Sequence, residues 1–167
     1  AKTITGATRI YSDASLQRNY TLAGNPESRV FTQSNFDSFG NMINTVVSTF
    51  EDDGNVPFSM RKTDNTWSAV SLSNWTMGRL GKSTVTHTRT GKVPVIRNSA
   101  FEYSSTTGAM TREIIEPGDN SVGIVTAFSY DLFGNRSSTS RQGAGMAART
   151  SSVAYDPLGR FVIRETN

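Results

Sequence analysis

The stretch Tyr130-Asp131-Leu132-Phe133-Gly134-Asn135 decides how this chain reads. It returns as Tyr155-Asp156-Pro157-Leu158-Gly159-Arg160 and stands earlier in a Phe form, Phe36-Asp37-Ser38-Phe39-Gly40-Asn41. A recurring aromatic-Asp-x-x-Gly string marks repeated strand-turn-strand units rather than one catalytic constellation. Ahead of the first quoted copy, Val125-Thr126-Ala127-Phe128-Ser129-Tyr130 alternates apolar and polar residues with large β-formers, the period-two pattern of a half-buried strand. Asp131 can accept hydrogen bonds from backbone amides two residues on and so start a turn. Gly134 supplies a position of positive φ at which a side chain would clash. Asn135 and Arg136 then lead into the polar strand Ser137-Ser138-Thr139-Ser140. In the second copy Thr150 to Tyr155 goes up, Asp156 to Gly159 reverses the chain, and Arg160 to Arg164 comes back. The two glycines stand 159 − 134 = 25 residues apart, enough for two ordinary strands and two connections.

Worn copies precede these. Phe101-Glu102-Tyr103 followed by Gly108 and Met110 to Ile115 has a longer turn, and Trp75-Thr76-Met77-Gly78-Arg79-Leu80 runs into Ser83 to Thr86. The interval from Gly40 to Gly78 is 78 − 40 = 38 residues, which calls for an insertion or a lost unit, with Phe50-Glu51-Asp52-Asp53-Gly54-Asn55 as its remnant. Tyr20-Thr21-Leu22-Ala23-Gly24-Asn25 keeps the internal spacing but lacks the Asp. Residues 1–30 therefore read as a degenerate repeat or a lead-in, and 31–167 as the repeat region. Glu116 to Asn120, Gly143-Ala144-Gly145 and Thr90-Gly91-Lys92 are loop signals between units. No segment carries a 3.6-residue apolar period; Met42 to Val47 comes nearest, and it is short and β-branched. The predicted fold is all-β, with antiparallel strand-turn-strand repeats forming an extended, curved sheet.

Composition supports that reading. At 167 residues the chain suits one domain, but only 35% of it is hydrophobic, scattered in short stretches between Ser, Thr, Gly and Asn. Such a chain buries one face of many short strands more readily than it builds a thick core. Seventeen basic and 14 acidic residues leave a net charge of +3, too small an excess to imply nucleic acid. With no cysteine, disulfides, thiolate zinc sites and cysteine nucleophiles are excluded. No stretch approaches the roughly 18 apolar residues that mark a membrane helix. The first residues, Ala1-Lys2-Thr3-Ile4-Thr5, have neither an initiator Met nor the apolar core of a signal peptide. The repeat is still in phase at Asn167, so the chain is expected to be excised from something longer.

The quoted strings resemble the Tyr-Asp (YD) repeats of the Rhs family of bacterial polymorphic toxins, of the related B and C components of insecticidal Tc toxins, and of animal teneurins. The match is close for Tyr130 to Asn135 and Tyr155 to Phe161, good for Phe36 to Asn41, and fair for Trp75 to Leu80 and Phe101 to Met110. The resemblance implies a long β-sheet that curls into a hollow shell around a toxin domain, or a large extracellular scaffold. Aromatic positions would pack along the sheet, and the Asp-x-x-Gly turns would form its rims. The structural positions it assigns are Phe36, Asp37, Gly40, Trp75, Gly78, Tyr103, Gly108, Tyr130, Asp131, Gly134, Tyr155, Asp156 and Gly159. It also implies a secreted or bacterial cell-surface location, with neighbouring repeats or an enclosed toxin domain as partners. No toxin domain is recognisable within the 167 residues, and the Asp is replaced at two of the weaker copies. Asp156-Pro157-Leu158-Gly159 looks like the Asp-Pro-x-Gly core of the family's self-cleaving region, but it sits inside an ordinary repeat.

Catalytic chemistry finds little footing. Gly81-Lys82-Ser83 imitates the end of a phosphate-binding loop, yet Thr76 stands where its first glycine belongs and Thr84-Val85-Thr86 is strand-like. His87, the only histidine, lies in an alternating run and has no Gly-x-Ser-x-Gly elbow to serve. Glu51-Asp52-Asp53-Gly54-Asn55 lacks the spaced oxygens of a calcium loop and reads as a charged turn. Between Asn65 and Ala100 there is no acid, while Arg79, Lys82, Arg89, Lys92 and Arg97 accumulate; a solvated face explains them more simply than a stripe for an acidic partner. Sequons stand at Asn19, Asn74 and Asn135. The expected function is a non-catalytic segment of a YD-repeat shell or scaffold that encapsulates or presents a toxin, with no catalytic residue, metal or cofactor, no nucleic-acid partner, and self-association through sheet edges. The alternative is a stand-alone cell-surface adhesion or carbohydrate-binding module, for which Trp67 and Trp75 are the candidate ligand-contacting aromatics.

Overall fold

The computed structural model describes residues 2–4, 7–51, 53–68 and 78–167. The chain is all-β and antiparallel, and none of the described residues is helical. It divides into two units, Ala1–Arg97 and Asn98–Asn167.

The first unit contains a small hairpin, β1 (Lys2–Ile4) with β2 (Ala7–Arg9), and a meander of β3 (Ala14–Tyr20), β4 (Pro26–Phe36), β5 (Met42–Glu51), β6 (Ser59–Trp67) and β7 (Leu80–Arg89). In this meander each strand pairs with the next. Strand β8 (Val95–Tyr103) begins in the first unit and continues into the second. There it pairs with β9 (Met110–Ile115), and β10 (Ile124–Tyr130), β11 (Arg136–Gly143), β12 (Arg149–Tyr155) and β13 (Val162–Thr166) follow in the same neighbour-to-neighbour order. Met42 to Val47, the segment nearest to a helical pattern, lies in β5, where its β-branched residues fit a pleated surface.

Six hairpins share one irregularity. In each, the register slips by one residue where an aromatic ends the outgoing strand: Tyr20 opposite Pro26, Phe36 opposite Met42, Trp67 opposite Leu80, Tyr103 opposite Met110, Tyr130 opposite Arg136 and Tyr155 opposite Val162. One residue of the returning strand is left over each time, which is a β-bulge that bends the strand and increases its twist. The repeat is therefore an aromatic, a turn and a bulge together.

Side-chain burial is shallow throughout. Among the described residues no apolar side chain is fully buried, and the only buried residue is Ser48, at 9% exposure. Leu22 and Leu132, at turn tips, are completely exposed. Among the described residues of both units each strand is held mainly by its ladder neighbours and by cross-strand side-chain pairs. Polar rows contribute: Ser34 and Thr45 hydroxyls exchange a hydrogen bond of 3.0 Å, Asn19 Nδ2 donates to Ser28 Oγ at 2.9 Å, and Ser83 Oγ donates to Asn65 Oδ1 at 2.8 Å.

Candidate functional site: the repeated turns

The residues that recur in sequence converge on one local geometry. In the turn after Phe36, the Asp37 amide donates to the Asn41 carbonyl at 2.9 Å and the Gly40 amide to the Asp37 carbonyl at 3.1 Å. The Asp37 carboxylate closes the loop from inside: Oδ1 accepts from the Phe39 and Asn41 amides, both at 2.8 Å, and Oδ2 accepts from Asn41 Nδ2 at 2.9 Å. The turn after Tyr130 is the same, with Oδ1 of Asp131 accepting from Phe133 at 2.9 Å and Asn135 at 2.8 Å. Gly40 and Gly134 have φ of 81° and 83°, a left-handed backbone that explains why glycine recurs there. After Tyr155 the carboxylate of Asp156 accepts from the Arg160 and Phe161 amides, and Arg160 replaces the Asn with a guanidinium 3.6 Å from Oδ2.

These carboxylates are anions held by amides. Partial burial alone would raise the pKa of Asp37; hydrogen bonds from the Asn41 side chain and the Asn41, Phe39 and Gly40 amides outweigh it and place the pKa below the ordinary value. Asp131 is lowered by the same balance, desolvation against bonds from Asn135 and Phe133. For Asp156 the Phe161 and Arg160 amides dominate and lower it.

Worn copies keep the frame without the Asp. The Thr21 amide donates to the Asn25 carbonyl at 2.9 Å and the Thr21 hydroxyl accepts from the Asn25 amide at 3.2 Å, so threonine takes the aspartate's place. This turn closes the β3–β4 hairpin, at the opposite end of the strands from the Asp37 turn, which is why Gly24 precedes Gly40 by one strand rather than two. Ser104 does the same after Tyr103, its hydroxyl accepting from the Thr107 amide at 3.1 Å, with Gly108 at φ 74°.

The β6–β7 connection changes one assignment. Strand β6 ends at Trp67, and the Ser68 amide donates to the Arg79 carbonyl at 2.8 Å, the bond that Asp37 makes to Asn41. Trp67 is therefore the aromatic of this unit, Ser68 stands for the Asp, and Gly78-Arg79 for the Gly-Asn. Among the described residues only β5 and β6 lie between the two copies, and ten residues separate Ser68 from Arg79 in sequence where three separate Asp37 from Asn41, which accounts for the long interval between Gly40 and Gly78. Glu51 ends β5, and Asp53 and Gly54 belong to the connection beyond it, where the Gly54 amide donates to the Glu51 carbonyl; Asp52 lies outside the described residues. Trp75 and Asn74 lie outside the described residues.

Two kinds of contact tie one copy to the next. The polar tip of an aromatic reaches back to the carbonyl opposite the previous aromatic: Trp67 Nε1 donates to Met42 O at 2.9 Å, Tyr130 OH to Met110 O at 2.7 Å and Tyr155 OH to Arg136 O at 3.4 Å. The turns also touch. Asn135 Nδ2, bonded to Asp131, donates as well to Gly159 O at 2.8 Å, and the Phe133 ring occupies the space where a Cβ on Gly159 would stand. The Asn41 amide fills the corresponding space at Gly78. None of these couplings was visible in the sequence, because a fixed aromatic says nothing of where its hydroxyl goes.

Other candidate residues fall on strands or loops. Gly81-Lys82-Ser83 lies in β7, which continues as strand to Arg89 where a phosphate loop would begin a helix. His87 stands opposite Arg61. Lys82 and Arg89 point to opposite faces of β7, while Arg79 and Lys92 lie beyond its two ends, so these four charges do not form one stripe. Trp67 commits its indole N–H to Met42, and the Asn135 and Asn19 side-chain amides are both engaged. Among the described residues no group of three or more His, Cys, Asp or Glu could hold a metal, and no helix is long and apolar enough to cross a membrane. No family model matches the chain, and no curated protein matches it.

Proposed function

We propose that this chain is a non-catalytic wall segment of a YD-repeat shell or scaffold of the Rhs or Tc-toxin kind, secreted or carried on a bacterial surface, where it encloses or presents a toxin. The observation that carries this reading is the repeat-to-repeat tie. Each of Trp67, Tyr130 and Tyr155 bonds to the backbone of the copy before it, so the recurring residues are used in holding copy to copy. A fold in which the recurring residues serve the next repeat, with no apolar residue buried among those described, supports a wall better than a pocketed enzyme. Both sheet faces are left with half-exposed side chains that a lumen or cargo can cover.

The native polypeptide tests the proposal. Mass spectrometry should find further repeats on both sides of this segment and an unrelated C-terminal domain, and limited proteolysis should leave that domain intact while the shell is closed. A short native chain, or a C-terminal domain cut as fast as a free one, overturns the reading.

A further inference from the structure

Two turns of the second unit present apolar side chains to solvent. Leu132 is completely exposed, and Phe133, Leu158 and Phe161 remain 61%, 58% and 66% exposed. Phe133 keeps that exposure although its ring already packs on Gly159 of the following copy, so packing of one copy on the next does not bury these tips. The same contact, with the bond from Asn135 Nδ2 to Gly159 O, holds the two turns side by side. Beneath the tips the backbone donors are spent. From Asp156 to Phe161 every amide N–H has an acceptor inside the turn. Asp156 donates to Phe161 O and Gly159 to Asp156 O, both at 2.8 Å, while the Leu158, Arg160 and Phe161 amides bond the Asp156 carboxylate. Pro157 has no N–H to satisfy. The amides of Asp131, Phe133, Gly134 and Asn135 are engaged in the same way. The charges are sorted as well. The Asp156 side chain, turned onto these amides, is 17% exposed and that of Arg160 61%. Arg136, just past the other turn, is exposed too.

We infer that these paired tips are a lipid-docking surface: Leu132, Phe133, Leu158 and Phe161 enter the boundary between headgroups and acyl chains of a bilayer, and the Arg136 and Arg160 guanidiniums meet anionic headgroups. Neighbouring exposed apolar side chains mark an interaction surface. A bilayer penalises every backbone group that it leaves unsatisfied, and a turn whose N–H groups are already bonded escapes that cost for its donors. A peptide partner that reads backbone finds no amide to bond here, which favours lipid over protein. Apolar side chains flanked by outward cations are the pattern of binding at a membrane interface, and basic residues strengthen it on an anionic leaflet. The docking surface is independent of the wall reading, which uses the ties between copies and not the tips that those ties leave exposed.

The test uses the 167-residue chain and sucrose-loaded vesicles, made either of phosphatidylcholine alone or of phosphatidylcholine mixed with phosphatidylserine. The chain should sediment with the mixed vesicles and bind phosphatidylcholine alone about tenfold less, a difference that high salt removes. Leu132→Ser and Leu158→Ser should each lower partitioning about fivefold with an unchanged far-UV spectrum, since both side chains are exposed. Val122→Ser, on the β9–β10 connection at the other end of the strands, should leave it within about twofold. The chain has no cysteine, so Leu132→Cys and Val122→Cys each take a polarity-sensitive dye at one position. With mixed vesicles the dye at 132 should shift to the blue and the dye at 122 should not. No partitioning by the parent chain, or equal blue shifts at the two positions, overturns the surface. So does a Leu132→Ser variant that loses self-association in solution but still binds vesicles, because the tips then serve a second copy.

Discussion

At the scale of the residue, aspartate and glycine perform separate tasks in the turn. Asp37 supplies acceptors to amides that the ladder has left behind, and Gly40 supplies a backbone conformation. Asp37→Ala should cost roughly 1–2 kcal/mol in urea unfolding, the range for hydrogen bonds to a charged acceptor that water partly replaces. The sign of the pH dependence follows from the lowered pKa of Asp37, Asp131 and Asp156. A carboxylate whose folded pKa is depressed contributes stability that is whole above its unfolded value, about 4, and is lost as pH falls through the folded value. Stability should therefore be flat with respect to these groups above about pH 5 and fall below about pH 4, with a smaller fall in Asp37→Ala. The glycines separate strain from contact. A Cβ on Gly134 meets nothing within 4 Å, so Gly134→Ala should cost only the left-handed backbone, about 1–2 kcal/mol. Gly159→Ala adds a collision with Phe133 and should cost more; the excess should shrink in a Phe133→Ala background, which removes the ring but keeps the Cβ 2.9 Å away, and vanish in a Phe133→Gly background.

At the scale of the element, the unit is a hairpin with a bulge, and its neighbours are held through the aromatic tip. Tyr130→Phe removes the 2.7 Å bond to Met110 O and should cost about 1 kcal/mol, whereas Tyr155→Phe, at 3.4 Å from Arg136 O, should cost clearly less. No loss in either variant, measured by denaturant unfolding, would show that the ring, which phenylalanine keeps, and not the hydroxyl carries the effect. Much of this element was legible in the sequence. Alternation in Val125 to Tyr130 marked β10, and Asp131 with Gly134 marked its turn, since both signals are local. The aromatic of the β6–β7 unit was not, because Trp75 precedes Gly78 at a familiar spacing while Trp67 lies across an insertion. Only strand pairing, Trp67 with Leu80, distinguishes the two. The bulges were hidden for the same reason: register is a property of two strands.

At the scale of the whole molecule, each unit is a meander whose outermost described strand, β3 in the first and β13 in the second, has one ladder neighbour. An edge with unpaired amides and carbonyls recruits other strands. Strand β13, Val162-Ile163-Arg164-Glu165-Thr166, is exposed along its length and has the composition to pair. The 167-residue chain should associate with rising concentration in analytical ultracentrifugation. Ile163→Lys should reduce that association without lowering far-UV β content. A chain that stays monomeric at high concentration would place its edges out of reach.

What the sequence determined by itself was local: an all-β chain, the places where it turns, and the residue types that each turn needs. Those signals survive without tertiary information because a turn is built from amides and side chains within about five residues of one another. The tertiary structure alone decided which aromatic anchors each unit, where its polar tip is spent, and that Phe133 lies against Gly159. Such facts depend on register between strands distant in the chain, and a shift of one residue would send every side chain to the other face.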